Sequence, residues 1–328
     1  MRAIVRQQYG GPEQLVIQEV PTPRPAPGEV LVRVRAFGLN RAEQYFRTGA
    51  WGEVAAISGI ECVGEVEEDP DGRLDRGQRV FALMGGMGRG IAGSYAEYAC
   101  VPATSVVAIR STLDWATLAA LPETYATAWS CLHDNLRLAP GERLVVRGAN
   151  SALGRAALDL ARQHGAVTVA TVRDLRRADA ARALGASPVL AEDASLHERL
   201  REGAPAGVDA VLDLVGTSTL VDSLRAARRG GRVCVAGFLG GGAPIERFDP
   251  LTHLPSGRQL SFFASAFVYG TPEYPLSELP FQRFVDFAEA GQLRAAAPSR
   301  VFRFEEIQEA HRVLDAEAAH GKMVVVVE

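Results

Sequence analysis

The sequence predicts an α/β protein made of a compact β domain and a doubly wound parallel sheet. Three observations predict it. Up to about residue 120 the chain runs in short β-type segments between Gly and Pro breaks. Beyond that point strands and helices alternate, which implies a parallel sheet with helices on both faces. The chain then closes on Lys322-Met-Val-Val-Val-Val327, an apolar strand that an earlier part of the chain must bury.

In the first part, Leu15-Val-Ile-Gln and Glu29-Val-Leu-Val-Arg-Val-Arg read as strands, and Pro21 to Gly28 as an extended connector. In the second part, Arg143-Leu-Val-Val-Arg is a short buried strand. A helix is expected over 155–164, with Ala157, Leu160, Ala161 and His164 on one face and Gly165 as its stop. Val167 to Val172 is the next strand, followed by a helix over 176–184 ending at Gly185 and a weaker strand at Pro188-Val-Leu. Val208 to Val215 is buried strand again, then helix over 219–229, then strand from Arg232 to Ala236. Residues 244–280 interrupt this rhythm with prolines and aromatics. Helices at about 280–291 and 304–318 follow.

The length of 328 residues suits two domains. A content of 47% hydrophobic and 23% charged residues is that of a globular chain. The net charge of -4 gives no electrostatic reason to expect nucleic acid or an anionic membrane as a partner. The opening residues lack a signal-peptide core, and no run approaches the ~20 apolar residues of a membrane span, so the expected compartment is the cytoplasm. Cys62, Cys100, Cys131 and Cys234 are scattered without a C-x-x-C pair, which reads as reduced thiols rather than a zinc lobe or disulfide frame.

After the first buried strand comes Gly148-Ala-Asn-Ser-Ala-Leu-Gly154. It departs from G-x-G-x-x-G, since Ala149, Ser151 and Gly154 hold the three small positions. Small side chains still let the backbone turn tightly, approach a pyrophosphate and pack helix on strand. The expected nucleotide contacts are therefore Ala149, Asn150, Ser151, Ala152, Leu153 and Gly154. An NAD site usually places an acid about 20 residues further on. This chain has Arg173 there, with Asp174, Arg176 and Arg177 after it, and arginines suit a 2′-phosphate. The expected cofactor is NADPH. Gly216 and Gly237-Phe238 follow the fourth and fifth strands, either as cofactor contacts or as simple turns.

Short pieces along nearly the whole chain resemble the medium-chain dehydrogenase/reductase superfamily, specifically its zinc-independent, zeta-crystallin-like quinone oxidoreductases. They include Tyr9-Gly-Gly-Pro-Glu, Pro27-Gly-Glu-Val, Gly38-Leu-Asn-Arg-Ala-Glu, Gly59-Ile-Glu-Cys-Val-Gly, Gly93-Ser-Tyr-Ala-Glu-Tyr and Gly321-Lys322. The resemblance implies a GroES-like catalytic domain over 1–122 and 265–328, a Rossmann domain over 123–264, and a cleft between them for the nicotinamide. It implies that Asn40, Tyr45, Arg47 and Trp51 line that cleft. Thr127, Phe267, Val268 and Lys322 would lie near the cofactor, and Arg177 would hold the 2′-phosphate. A family tyrosine of the phosphate site is replaced by Glu192, which weakens that part of it. Zinc-dependent members carry a Cys ligand where this chain has Asn40 and a His ligand where it has Ile60, so the implied chemistry is metal-free.

The expected reaction is hydride transfer from the nicotinamide to a quinone or an activated enone, with Tyr45 donating a hydrogen bond to the developing oxyanion and Asn40 in support. Tyr45 reads equally as a packed core aromatic. Where enoyl-thioester reductases carry a catalytic tyrosine this chain has Trp51, whose indole is no acid, so thioester or alkenal double-bond reduction ranks second. An NADPH-binding protein with little turnover is the third reading. The histidines show no catalytic grouping, and Asp213 reads as structural. Leu260-Ser-Phe-Phe is expected to serve a homodimer, and the 244–280 insert a lid or dimer surface.

Overall fold

The computed structural model describes residues 1–193 and 195–327. The chain divides into two compact units. Met1–Ala126, Ser265–Gln292 and Ala296–Glu328 form the first, and Thr127–Ala264 with Leu293–Ala295 the second.

The first unit is built on a seven-stranded sheet. Its long central strand, Glu29–Leu39, pairs antiparallel with Glu61–Glu68, with Tyr98–Pro102 and with Met323–Val326. The closing apolar strand thus returns to the N-terminal sheet, with Val325 opposite Phe37. Ile4, Val32, Val34, Val66, Val80, Tyr95 and Val325 fill the core beneath it. Burying such side chains supplies roughly 1.5–3 kcal/mol each before entropy is counted.

The second unit carries six parallel strands. Their order is Val189–Ala191, Val167–Val172, Arg143–Arg147, Val208–Asp213, Ala227–Val235 and Gln259–Phe262. Numbered along the chain this is 3-2-1-4-5-6, the doubly wound dinucleotide order, in which the ligand crevice lies where the order reverses. Central strands buried on both faces explain the near-continuous apolar runs at 144–146 and 210–212.

Several boundaries differ from expectation for local reasons. The helix expected from Arg155 runs Ala152–Gln163, because Ser151 caps it by accepting the Gly154 N–H at 3.0 Å. The 176–184 helix is divided into a turn Leu175–Arg177 and a helix Asp179–Ala183. The helix expected to reach residue 229 ends at Ala226, and Ala227 already pairs with Val208. The register resumes only at Ala210 opposite Arg232, so Arg228 to Gly231 bulge out, with Gly230 at φ +75°. Helix Leu196–Gly203 had no expectation; its buried stripe is just Leu196 and Leu200. Within 244–280 lie a short helix Pro250–His253 and the strand Gln259–Phe262, which ends the second unit's sheet. Among the described residues no helix is long and apolar enough to cross a membrane.

Candidate active-site residues

In the second unit the site begins where the buried strand Arg143–Arg147 ends. Gly148 turns the chain at φ +78°, a conformation that favours glycine, and a Cβ there would stand 2.8 Å from Leu239 Cδ1. Gly154 lies so close to the turn that a Cβ would fall 2.6 Å from the Gly148 carbonyl oxygen. Ser151 locks the arrangement. Its hydroxyl donates to the Gly148 carbonyl at 2.9 Å and accepts the Gly154 N–H. The Ala149 N–H donates to the Thr171 carbonyl at 3.1 Å. A 12-residue helix, Ala152–Gln163, starts here, so its first N–H groups and dipole favour an anion.

Asn150 ties this turn to the arginine-bearing one by donating from Nδ2 to the Arg177 carbonyl at 3.0 Å. Its Oδ1 is buried without a hydrogen-bond partner. Arg173, Arg176 and Arg177 are exposed along that segment, and Arg176 is paired with Asp174 at 2.8 Å. Gly216 and Gly237 let the loops after the next two strands meet. A Cβ on Gly216 would stand 2.8 Å from the Gly237 oxygen and 3.1 Å from the Phe238 ring. Asp213 is structural: it accepts from the N–H groups of Val215 and Gly216 and from the hydroxyls of Thr219 and Ser223. Thr127 is buried in the helix Pro122–Ser130. A bare glycine turn, a capped helix start, an orphaned acceptor and adjacent arginines together fit a phosphorylated dinucleotide.

The Glu192 carboxylate is held by Arg147 and by the Thr171 hydroxyl. Arg147 is completely buried and also donates to Asp222 at 2.8 Å, Ser223 at 2.9 Å and the Asp193 carbonyl at 2.9 Å. Burial works against its charge, but Glu192, Asp213 and Asp222 outweigh it and hold the guanidinium pKa above its usual value. The signal for this network is an arginine that closes the apolar run Leu144 to Val146 at the buried end of its strand.

In the first unit Asn40 ends the strand Glu29–Leu39 and begins the helix Arg41–Thr48. Its backbone N–H donates to Glu43 at 2.7 Å, and the other Glu43 oxygen accepts the Ile60 N–H at 3.1 Å. Glu43 is completely buried, and burial pushes its carboxyl up to about 7 although Lys322 pulls the other way. The Asn40 side chain donates from Nδ2 to Glu61 at 2.9 Å and accepts from Lys322 Nζ at 2.5 Å. Lys322 also pairs with Glu61, whose second oxygen accepts the Glu123 N–H at 2.8 Å. Gly38 makes room: a Cβ there would lie 2.4 Å from both Glu61 Oε1 and Lys322 Cε. Lys322, expected near the cofactor, is thus placed with Asn40.

Tyr45 is half-buried, and its hydroxyl makes no hydrogen bond among the described residues. Trp51 is 41% exposed, stacked at 6.1 Å on Phe267, which is 65% exposed. The Arg89 guanidinium lies 5.8 Å from the Phe267 ring centre. Val268 is half-buried beside it, and Tyr269 anchors the segment through its hydroxyl to the Ala126 carbonyl at 2.7 Å. Arg47 does not join this group. It is buried and committed to Asp315, His311 and the Gly10 carbonyl, so its role is to pack its helix on Ile307–Asp315. His311, which burial and Arg47 hold down at about 3, stays neutral.

No group of three or more His, Cys, Asp or Glu side chains among the described residues is arranged to hold a metal ion. The surroundings of Glu61 do not fit zinc: an amide, an isoleucine and an ammonium stand there, and the ammonium already meets the carboxylate charge.

Two family models match the chain: an alcohol dehydrogenase GroES-like domain over residues 26–111 and a zinc-binding dehydrogenase over 152–279. A rat quinone oxidoreductase is 28% identical over 99% of this chain and 98% of its own length. A 2-haloacrylate reductase from a Burkholderia species is 28% identical, over 99% and 98% of the two chains. Among solved structures, a mycobacterial protein complexed with NADPH superposes with a TM-score of 0.85 at 25% identity, covering 99% of each chain.

Proposed function

Since the chain belongs to the medium-chain dehydrogenase/reductase superfamily, in its quinone-oxidoreductase branch, and is an oxidoreductase, we propose that it reduces a quinone or an activated enone with NADPH and without zinc. The observation that carries this reading is the Asn150 bond, which ties the glycine turn to the segment bearing Arg173 and Arg177. When bound, NADPH supplies the hydride from its nicotinamide ring.

The chain's own residues bind, orient and donate. Backbone N–H groups at Ala152 and Leu153 would meet the pyrophosphate, with Gly154 keeping the helix start close to the turn, and Arg173 and Arg177 would meet the 2′-phosphate. Asn150 Oδ1 accepts a hydroxyl of the cofactor. Thr127, Gly216, Gly237 and Phe238 shape the rest of the cofactor's bed. Trp51, Phe267 and Val268 offer a flat apolar surface suited to a planar acceptor. Tyr45 donates from its hydroxyl to the acceptor's oxygen as charge develops there, and Asn40 donates beside it. Quinone reduction asks for no stronger acid than these.

A second reading is reduction of an electron-poor carbon–carbon double bond. It draws on the Burkholderia relative, whose name is that of such a reductase. The homodimer is retained as part of the proposal, because Leu260 and Phe262 are 39% and 56% exposed on the last strand of the six-stranded sheet. A light-scattering mass of one chain would remove it.

The acceptor is tested by following NADPH absorbance with benzoquinone, phenanthrenequinone, an alkenal and crotonyl-CoA in turn. Turnover of the quinones alone supports the first reading. Preference for the alkenal or the thioester moves the assignment to double-bond reduction. Tight NADPH binding without turnover of any of them would favour a binding role.

A further inference from the structure

We propose that Lys322 and Glu61 are positioning residues that fix which way the Asn40 carboxamide faces, so that its uncommitted N–H is the group offered to the acceptor oxygen. The proposal rests on the reductase reading and adds to it a device that no motif announces.

A carboxamide is nearly symmetric in shape but opposite in chemistry at its two ends. Its direction is therefore set by partners, and here both partners are one-sided. The Lys322 ammonium has donors only, so it meets oxygen: Nζ donates to Asn40 Oδ1 at 2.5 Å. An ionised carboxylate only accepts, so Glu61 meets the amino end: Asn40 Nδ2 donates to it at 2.9 Å. Turning the amide over would set N–H against ammonium and oxygen against carboxylate, losing both bonds at once.

The clamp is itself held. Glu61 opens the strand Glu61–Glu68 and accepts the Glu123 N–H at 2.8 Å, and Lys322 pairs with the same carboxylate. Both clamp side chains are buried, at 3% and 0% exposure, too deep to reach a substrate. Asn40 is half-buried, and among the described residues its second N–H makes no hydrogen bond. The one uncommitted donor of the cluster is thus aimed by two groups that do not touch the acceptor.

The test combines kinetics with a spectrum. Lys322→Met is expected to lower kcat about tenfold or more while leaving the NADPH Kd within about twofold. In an Asn40→Ala background the same change is expected to cost nothing further. Additive losses, or a loss residing in the NADPH Kd, would overturn the proposal in favour of a packing or cofactor role. If unpaired Glu61 unfolds the single variant, the neutral pair Lys322→Met with Glu61→Gln replaces it, since Asn40 has again lost its Nζ donor. Independently of turnover, the Asn40 side-chain amide resonances, assigned by their loss in Asn40→Ala, are expected to shift in Lys322→Met. Unchanged resonances would refute the clamp. A wild-type chain that reduces no acceptor would end the reductase reading alone, and the resonances would still judge the clamp.

Discussion

Each unit buries a cation among carboxylates, and the two clusters differ in what they leave unsatisfied. Around Arg147 every nitrogen of the guanidinium has a partner: Nε on Glu192, Nη1 on Asp222 and Ser223, Nη2 on Glu192 and the Asp193 carbonyl. The network is closed, and its neighbours along the chain are the strand end and Gly148. Around Lys322 the network is open. Asn40 keeps a spare N–H at a half-buried position, and Glu43 is left with a carboxyl that titrates at about 7. A closed buried network rigidifies; an open one at an accessible edge has something to give a ligand. The difference teaches where to look for chemistry among charges that are all buried.

The comparison is broken most forcefully at Arg147. Arg147→Met leaves Glu192 and Asp222 buried without their cation, and about 3–5 kcal/mol of stability is expected to go. A denaturant midpoint within error of wild type would show that the cluster is not the structural one. Next is Gly154→Val, whose Cβ would lie 2.6 Å from the Gly148 oxygen and so must displace backbone. Overpacking of this kind costs about 1–3 kcal/mol, with NADPH binding weakened at least tenfold as the turn shifts. Calorimetric titration showing unchanged affinity would remove the turn from the cofactor site.

On the open side, Tyr45→Phe is expected to lower kcat/KM with a quinone about tenfold at unaltered thermal midpoint. Retained activity would return Tyr45 to the packed aromatics. The smallest effect is that of pH on Glu43. Its folded pKa of about 7 stands above the ordinary glutamate value of 4.5, so the folded state binds the extra proton between them. That contribution to stability is whole below pH 4.5 and is lost as pH rises through about 7. Glu43→Gln should therefore flatten the stability curve in that window. An unchanged slope would place the titration elsewhere; His311, held at about 3, is not a competitor there.

The two regions also differ in how far the sequence discloses them. The parallel sheet is legible because strands buried on both faces carry continuous apolar runs, as at 210–212. The nucleotide turn is legible because it is made by backbone: Gly148, Ser151 and Gly154 act within one short stretch. Asn40, Glu61 and Lys322 lie on three separate strands or strand ends, and Lys322 meets Asn40 across 282 residues of chain. Each is an ordinary polar residue until the fold pairs them. Resemblance reaches Asn40 and Lys322 separately, one as a cleft residue and the other as a residue near the cofactor, and says nothing of the bonds that join them to each other and to Glu61. The partner of Glu192 is hidden in the same way, since Arg147 lies 45 residues away. Even the Arg228 to Gly231 bulge belongs to this class, because a helix-compatible pair of arginines gave no sign of the strand register that overrides it.

The measurement that bears most directly on the whole account is kcat/KM for the two nicotinamide cofactors with phenanthrenequinone as acceptor. Quinone-dependent oxidation of NADPH is expected, favoured over NADH by about tenfold or more through the arginines at the 2′-phosphate. Equal values for the two cofactors, or no quinone-dependent oxidation of either, would contradict it.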